Sequence, residues 1–281
     1  MEQKLTLTNS KNKTIDLMDD RHLFAEISDF GFSLNNEYQT IGTNFLLTNS
    51  KYNQTGISGT VYFKGDDPYQ DYFDFLNNFT SQDLILEYNT VKTFKLSCRM
   101  IVSKKKENTQ DYRKAEVTFQ PNGLWYNEVS AICIPAEHEE TDGKTYDYTY
   151  AYTYGTGAEV GEIEINSDSH IPSPIKLTIW GECYDPTWAQ YVNGVCVASG
   201  GMNGLTLLDS QCLVVDSTSP ENTIETQDLN GNPLVDVYNL SDFRTDRFIY
   251  LRNGVNRIVV SSSAGTDLMY SVEARLTYES V

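Results

Sequence analysis

The chain has 281 residues, among them 19 tyrosines, and its 21 Lys and Arg against 39 Asp and Glu give a formal net charge of −18. This length allows two domains or one large β domain, and a hydrophobic share of 40% suits a globular protein with a core rather than a disordered one. So acidic a chain lacks the basic footprint that nucleic acid requires, and no apolar run approaches the roughly 18 residues of a membrane helix, so we expect neither sequence-specific nucleic-acid binding nor membrane insertion.

Short strands dominate the predicted N-terminal half. Tyr, Thr, Asn and Ser are abundant, and no stretch is rich in the helix formers Ala, Glu and Lys. This composition favours strands and turns, so the fold class is expected to be mostly β. For the N-terminal half we expect a β-sandwich-like domain with one α-helix and a long β-hairpin. Strand patterns occur in five stretches: 5–8, 14–18, 23–27, 52–63 and 84–88.

One α-helix is predicted to begin at Pro68, where Asp66 or Asp67 can serve as the N-cap. Apolar side chains follow at i, i+3, i+4 and i+7, which is the spacing of one helix face. Such a face could line a ligand groove, but docking of the helix onto a sheet is the more common role and is the one we expect. The apolar positions are Tyr69, Tyr72, Phe73 and Leu76, widened by Phe75 and Phe79.

A long β-hairpin is predicted over residues 94–120. Apolar and polar residues alternate on both sides of a polar tip, which is the pattern of two paired strands with one apolar face. Seven Lys and Arg against three Asp and Glu give this stretch a net charge of +4, so the rest of the chain carries −22. The apolar positions of the alternation are Phe94, Leu96, Cys98, Met100, Val102, Ala115, Val117 and Phe119.

Three successive lysines, Lys104, Lys105 and Lys106, lie at the predicted hairpin tip. They could contact nucleic acid or a membrane surface, or they could simply be solvated. A solvated tip is the preferred interpretation, because the rest of the chain is acidic.

Residues 121–123, Pro-Asn-Gly, are the predicted boundary between a domain at 1–122 and a domain at 123–281. A chain breaker followed by a turn pair ends the hairpin there. From Glu162 onward, strand patterns recur at roughly ten-residue spacing with turn signals between them, which favours a β-sandwich or jelly roll.

Every second residue from 146 to 154 is a tyrosine, following an acidic segment at 137–144. A strand here would carry five rings on one side. The rings could form a platform that stacks sugars, or a ladder that packs on a neighbouring strand or subunit, and the ladder is preferred. The five residues are Tyr146, Tyr148, Tyr150, Tyr152 and Tyr154.

The sequence predicts no catalytic residue, metal ligand or cofactor. His22, His138 and His170 have no partner at metal-ligand spacing, and no nucleophile or phosphate-loop motif occurs. Five cysteines without a C-x-x-C pair are typical of free, partly buried thiols in a reducing compartment. Residues 228–233 resemble the beginning of a calcium loop but lack the acidic residue near its end, so a turn is expected.

Several stretches along the chain together carry a resemblance to a known family. They are 31–33, 56–63, the helix at 69–79, 84–88, the hairpin at 94–120, 175–181, 185–188, 228–231 and 248–258. In this order they resemble the distal tail protein family of siphophages that infect Gram-positive bacteria, within the wider group of phage tail and baseplate components. The resemblance covers nearly the whole chain.

The resemblance implies a structural virion protein, not an enzyme, that forms a homohexameric ring at the tail tip. The ring would join the tail tube protein to the tail-tip hub, or tail-associated lysin, and let DNA pass through its centre. Residues 1–122 would build the ring. Residues 123–281 would form a peripheral galectin-like sandwich that carries adhesion parts such as receptor-binding or baseplate proteins.

The 94–120 hairpin would be a belt laid on the neighbouring subunit. A basic hairpin on an acidic subunit suits the acidic face of the next copy, and repeating such a heterologous contact closes a ring if the rotation closes. Assembly in the host cytoplasm is expected, since free cysteines suit a reducing compartment. The implied contact residues are Phe94, Leu96, Met100, Val102, Lys104, Lys105, Lys106, Tyr112, Arg113, Val117 and Phe119.

Two alternatives stay open at this point. The chain could be a carbohydrate-binding module that uses the tyrosines at 146–154, or Trp180 and Trp188, as stacking surfaces. It could also be an accessory receptor-binding protein of the same baseplate.

Overall fold

The computed structural model describes residues 4–28, 30–105, 112–134, 162–219, 221–263 and 268–281, without the side chains of residues 102 and 103. It divides into two units, Met1–Asn127 with Tyr278–Val281, and Glu128–Thr277. Strands make up most of both units, and one α-helix occurs in the part described. The mostly β prediction, with β-sandwich-like domains and a single helix, is therefore confirmed.

The first unit is built from antiparallel strands and the helix. Its elements are β1 (Lys4–Asn9), β2 (Thr14–Asp16), β3 (His22–Ser28), β4 (Leu34–Ile41), β5 (Asn44–Tyr52), β6 (Ile57–Lys64), α1 (Pro68–Phe79), β7 (Leu84–Asn89), β8 (Thr93–Lys105), β9 (Tyr112–Pro121) and the start of β10 (Trp125–Cys133).

Seven strands of this unit pair in the order β3-β6-β9-β8-β7-β1-β2. The two ends of the sheet meet at Leu17, whose N–H donates to Leu5 O at 2.7 Å and whose carbonyl accepts from Phe24 N–H at 2.8 Å. All three side chains are buried. The sheet therefore curls into a barrel, and its inward-facing residues form the core of the unit.

Helix α1 covers this core from one side. Asp67 caps it by accepting from Tyr69 N at 3.1 Å and from Gln70 N, and Pro68 occupies the first turn as predicted. The buried face is Tyr72, Phe75 and Phe79. The predicted docking onto the sheet is confirmed, but Tyr69 and Phe73, placed in the docking face by the sequence pattern, lie on the exposed side.

The end of the chain returns to the first unit. Gly31 bridges to Ser280, and Phe32 N–H donates to Glu279 O at 2.8 Å. Trp125 is fully buried beside this pairing, stacked on Phe30 with its Nε1 donating to Phe30 O at 2.9 Å. The strand pattern of the sequence does not show this return.

The second unit contains the remaining strands. They are the end of β10, then β11 (Ile163–Ser167), β12 (Ser173–Trp180), β13 (Cys183–Tyr184), β14 (Thr187–Val192), β15 (Val195–Gly201), β16 (Thr206–Leu207), β17 (Gln211–Asp216), β18 (Thr223–Asp228), β19 (Pro233–Asp236), a 3-10 turn (Tyr238–Leu240), β20 (Tyr250–Leu251), β21 (Gly254–Ser261) and β22 (Met269–Tyr278).

Two sheets of this unit face one another. One runs β19-β18-β17-β12-β22-β10 and the other β11-β21-β14-β15. Leu177 of the first sheet and Trp188 of the second line the same small internal space, and Tyr270 Oη donates across to Ile258 O at 2.9 Å. The unit is thus β-sandwich-like, with its core between the two sheets.

Gly200 provides a test of packing in this core. A Cβ at this position would overlap the indole of the buried Trp188, whose Nε1 is fixed by donation to Arg247 O at 2.8 Å. We expect Gly200→Ala to lower the free energy of unfolding by about 1–3 kcal/mol, because overpacking forces neighbours off their preferred rotamers. Urea unfolding followed by circular dichroism measures this change.

Gly123→Ala is the matched control. A Cβ there meets nothing within 4 Å, and no positive φ is required. We expect no loss of stability from it, and an equal loss in both variants would contradict the packing argument.

Candidate functional site

The β8–β9 hairpin, the predicted belt, is part of the barrel. β9 pairs with β8 on one edge and, over eight residues from Ile57↔Phe119 to Lys64↔Tyr112, with β6 on the other. Both strands therefore face the barrel interior with their apolar sides. Within one copy, the apolar face predicted by the alternation is already covered.

The predicted contact residues consequently fall into three groups. Leu96, Met100, Val117 and Phe119 are buried in the unit's own core. Phe94, Tyr112 and Arg113 are half-buried, while Lys104 and Lys105 are exposed. The side chain of Val102 and the whole of Lys106 lie outside the described residues, and the role of the set in a subunit contact stays a prediction.

A register shift between Met100 and Val102 re-aims the alternation of β8. Ile101 is the extra residue of this bulge, and its side chain is 54% exposed. Ile101, Lys104 and Lys105 are thus exposed residues of β8 that a partner could contact.

Much of the hairpin's positive charge is used inside the unit. Arg113 lies 4.2 Å and Lys105 5.6 Å from the Tyr69 ring centroid, and Lys114 stands over Tyr62 at 5.1 Å. Cation–π contacts of this kind contribute about 0.5–1 kcal/mol at exposed sites. They also explain why Tyr69 lies on the open side of the helix.

Arg99 forms an ion pair with an acidic residue of its own unit. Its Nε donates to Asp83 Oδ1 at 2.6 Å, and this hydrogen bond lowers the pKa of the Asp83 carboxyl. The positive charge that singles out this stretch in the sequence is therefore partly compensated by its own neighbours.

A second hairpin, formed by β4 and β5, was not predicted. We call residues 34–52 the arm. Its strands pair with each other from Leu34↔Tyr52 to Ile41↔Asn44 and with no other strand in the part of the chain described. Gly42, with φ +63°, opens the two-residue loop at its tip, a position where a II′ turn requires glycine.

The arm has one apolar face. The register, with its shift between Glu37 and Tyr38, puts five apolar side chains on one side, while the other side is mostly Asn, Gln, Glu and Lys with Ile41 and Leu46 among them. All five are between 40% and 74% exposed. They are Leu34, Tyr38, Phe45, Leu47 and Tyr52.

The arm is also neutral. It contains one acidic residue, Glu37, and one basic residue, Lys51, which lie 3.9 Å apart across the two strands. At its base Tyr52 Oη donates to Glu279 Oε1 at 2.8 Å, and Asn53 N–H donates to Ser33 O at 2.8 Å. These contacts fix the arm at its base and leave its apolar face open.

The possible metal sites of the described residues were the histidines, the cysteines and the turn at Asp228. No group of three or more His, Cys, Asp or Glu side chains placed to hold a metal ion occurs among the described residues. Asp228 Oδ1 accepts from Asn230 N and Asn232 N at 2.9 and 2.8 Å, so this carboxylate organises the predicted turn between β18 and β19.

The part described contains no helix long and apolar enough to cross a membrane. Tyr146, Tyr148, Tyr150, Tyr152, Tyr154 and His138 lie outside it.

The fold is shared with solved phage proteins. Residues 4–122 match the family model described as distal tail protein, N-terminal domain. The SPP1 Dit (gp 19.1) protein, titled a paradigm of the hub adsorption apparatus in Gram-positive infecting phages, aligns with a TM-score of 0.63 at 11% identity, over 98% of this chain and 99% of that one. A comparison with curated proteins gives no match.

Chains of the phage P2 baseplate align as well. In the activated conformation with Ca the TM-score is 0.58 at 14% identity, over 100% of both chains. With Sr it is 0.56 at 13% identity, over 97% of this chain and 98% of that one. The fold is thus that of these phage chains. Residues 4–122 match the N-terminal domain of the distal tail protein family, and the likeness of fold extends over the rest of the chain.

The five cysteines are all thiols, and four of them are buried. Burial raises the pKa of the Cys98 thiol to about 12 and that of Cys183 to about 11. The thiolate is the reactive form, so these side chains are inert at neutral pH. Cys196 on β15 is exposed.

We expect the native chain to react rapidly with a thiol reagent such as DTNB at one position, Cys196. The other four should react only after denaturant unfolds the core, because they are buried. Cys196→Ser should remove the rapid phase and leave the slow one. A second rapid equivalent would contradict the burial described here.

Proposed function

We propose that the chain is a structural virion protein of the tail tip, in which six copies form a ring that joins the tail tube protein to the tail-tip hub or tail-associated lysin. DNA passes through the ring without sequence-specific contacts. The match of residues 4–122 to the N-terminal domain of distal tail proteins supports this role, as does the likeness in fold to chains of a phage hub adsorption apparatus and a phage baseplate. The role requires no catalytic chemistry of the chain itself.

The arm is the observation that carries the self-association. A two-stranded hairpin is marginally stable on its own in water. The arm nevertheless pairs with no other described strand and exposes a row of five apolar side chains on one face. Covering these half-exposed side chains would contribute roughly 1 kcal/mol each. A second copy of the chain is the partner that a homomeric ring supplies.

The charge distribution points to the same partner. Two copies that each carry −18 repel one another, so a contact between them forms best where charge is low. The arm has no net charge. A contact in which the arm of each copy lies on the next is heterologous, and it closes into a ring when the rotation between copies closes.

The second unit then has a peripheral role. Its β-sandwich-like fold supports the galectin-like domain that the family resemblance implies, placed outside the ring and carrying receptor-binding or other baseplate proteins. The protein is found in the virion, at the tail tip. Its buried, unbridged cysteines support assembly in the host cytoplasm.

The arm and the predicted belt are competing contact elements. The β8–β9 hairpin keeps a part in the ring only through its exposed side, Ile101, Lys104 and Lys105, since its apolar face is buried in its own barrel. The arm has a free apolar face. We therefore assign the main subunit contact to residues 34–52.

Paired substitutions test this assignment. Tyr38→Ser with Phe45→Ser removes two exposed rings from the arm without touching a buried side chain. We expect the wild-type chain to associate toward a hexamer and the double variant to remain monomeric. Molar mass by light scattering after size exclusion, over a range of concentrations, measures both.

Ile101→Ser is the matched control, because it removes an exposed apolar side chain of similar accessibility from the other hairpin. It should leave the mass unchanged, as should deletion of residues 103–111. If these variants dissociate the oligomer while the arm variant does not, the belt is the β8–β9 hairpin. A wild-type chain that stays monomeric at every concentration contradicts self-association.

Ionic strength separates the two contacts in another way. An apolar contact between acidic copies should strengthen when NaCl rises from low concentration to physiological values, because salt screens the repulsion over a Debye length of about 8 Å. A contact between the basic hairpin and an acidic neighbour should weaken instead. The same mass measurement across a salt series, with Lys104→Gln and Lys105→Gln as control variants, distinguishes them.

A further inference from the structure

Helix α1 has an apolar side that is wider than the surface it buries in its own barrel. The buried face is Tyr72, Phe75 and Phe79. Tyr69 and Phe73 lie beside this face on the helix and are 44% and 38% exposed. The apolar side of a surface helix normally faces the residues on which it packs. One copy of the chain therefore leaves a flank of this helix uncovered, and we call Tyr69 and Phe73 the helix flank.

The helix flank is one continuous aromatic surface. The ring centroids of Tyr69 and Phe73 are 4.6 Å apart, and the rings meet edge to face. Singly exposed apolar residues are ordinary, whereas joined aromatic rings are enriched where proteins meet. In the described part of the first unit, the exposed large apolar residues outside the arm and this flank lie on different strands or turns: Leu23 on β3, Ile85 on β7, Val91 in the turn after β7 and Ile101 on β8.

The rings are held in place before a partner arrives. The guanidinium of Arg113 lies 4.2 Å from the centroid of the Tyr69 ring, and the ammonium of Lys105 lies 5.6 Å from it. Asp67, the N-cap, accepts from Tyr69 N at 3.1 Å and fixes the turn that carries this ring. A surface held in this way loses little conformational entropy when it is covered.

The charge beside the helix flank suits an aromatic partner. Gln70 and Asn77, three residues before and four after Phe73, are its neighbours on the helix surface, and neither carries a charge. Toward the barrel stand the cations of Arg113 and Lys105, which attract the faces of aromatic rings. A partner that presents aromatic rings therefore fits this flank.

We propose that the helix flank receives the arm of the next copy. This inference rests on the ring proposed above, because a heterologous contact needs two different surfaces on every copy. The arm is the surface that reaches, and its apolar row includes the rings of Tyr38, Phe45 and Tyr52. The paired part of the arm is about 25 Å long and the helix about 18 Å, so one can lie along the other. Both surfaces are exposed within one copy, so the contact joins two copies.

Phe73→Ser tests the receiving surface. Serine and phenylalanine have similar helix propensity and Phe73 is exposed, so the variant should fold. We expect it to weaken association toward the hexamer about tenfold, the size expected for an aromatic anchor of an interface. Molar mass by light scattering over a range of concentrations measures this. Tyr69 is left unchanged because Arg113 and Lys105 stack on it.

Ile85→Ser is the matched control. Ile85 belongs to the same unit and is 40% exposed, close to the 38% of Phe73, but it lies on β7 and not on the helix. This variant should associate like the wild type. Circular dichroism should show that both variants are folded.

Cross-linking identifies what lies on the helix flank. In a Cys196→Ser background, which removes the exposed thiol, Phe45→Cys places a thiol on the arm and Phe73→Cys one on the helix. A short bismaleimide should join the two variants when they are mixed. It should give much less dimer with either variant alone, or with Ile85→Cys in place of Phe73→Cys.

Two results would overturn the inference and leave the ring intact. One is a Phe73→Ser chain that associates like the wild type while the arm variant is monomeric, since the arm then has another receiving surface. The other is a chain carrying both thiols that cross-links only within itself, since its arm then lies on its own helix. A wild-type chain that stays monomeric and gives no cross-link between copies contradicts the ring and this inference together.

Discussion

β9 is hydrogen-bonded along both edges, to β6 and to β8, and the arrangement of the first unit depends on this double pairing. A strand held in this way presents only its faces, and the inner face of β9 is filled by Ala115, Val117 and Phe119. The same strands that form the most conspicuous hairpin of the sequence therefore complete the barrel. The arm is not part of the barrel, because its two strands pair only with each other in the part of the chain described.

Alternation predicts a paired strand with an apolar face but not what covers that face. This is why the hairpin at 94–120 was predicted with nearly the right bounds, while Leu96 and Phe119 proved to be core residues of their own subunit. The helix shows the same limit. Asp67 and Pro68 located its start, but the rings of Tyr69 and Tyr72 look alike in sequence. Only the cations of Arg113 and Lys105 show why Tyr69 stays outside.

The arm was not predicted because its pattern in the sequence is weak. Asn and Gln separate the apolar residues of β4, and the register shift at Glu37 and Tyr38 leaves Thr48 as an extra residue that breaks the alternation of β5. The turn at Gly42 is its clearest local signal.

The length and the neutrality of the arm suit a chain that is strongly acidic. Eight residues of paired strand span roughly 25 Å, several times the Debye length of about 8 Å at physiological ionic strength. The only charges along that length, Glu37 and Lys51, offset each other at 3.9 Å. An apolar surface on such an extension can contact a neighbouring copy while salt screens most acidic residues of one copy from those of the other. A short contact between the bodies themselves would have to overcome their repulsion directly.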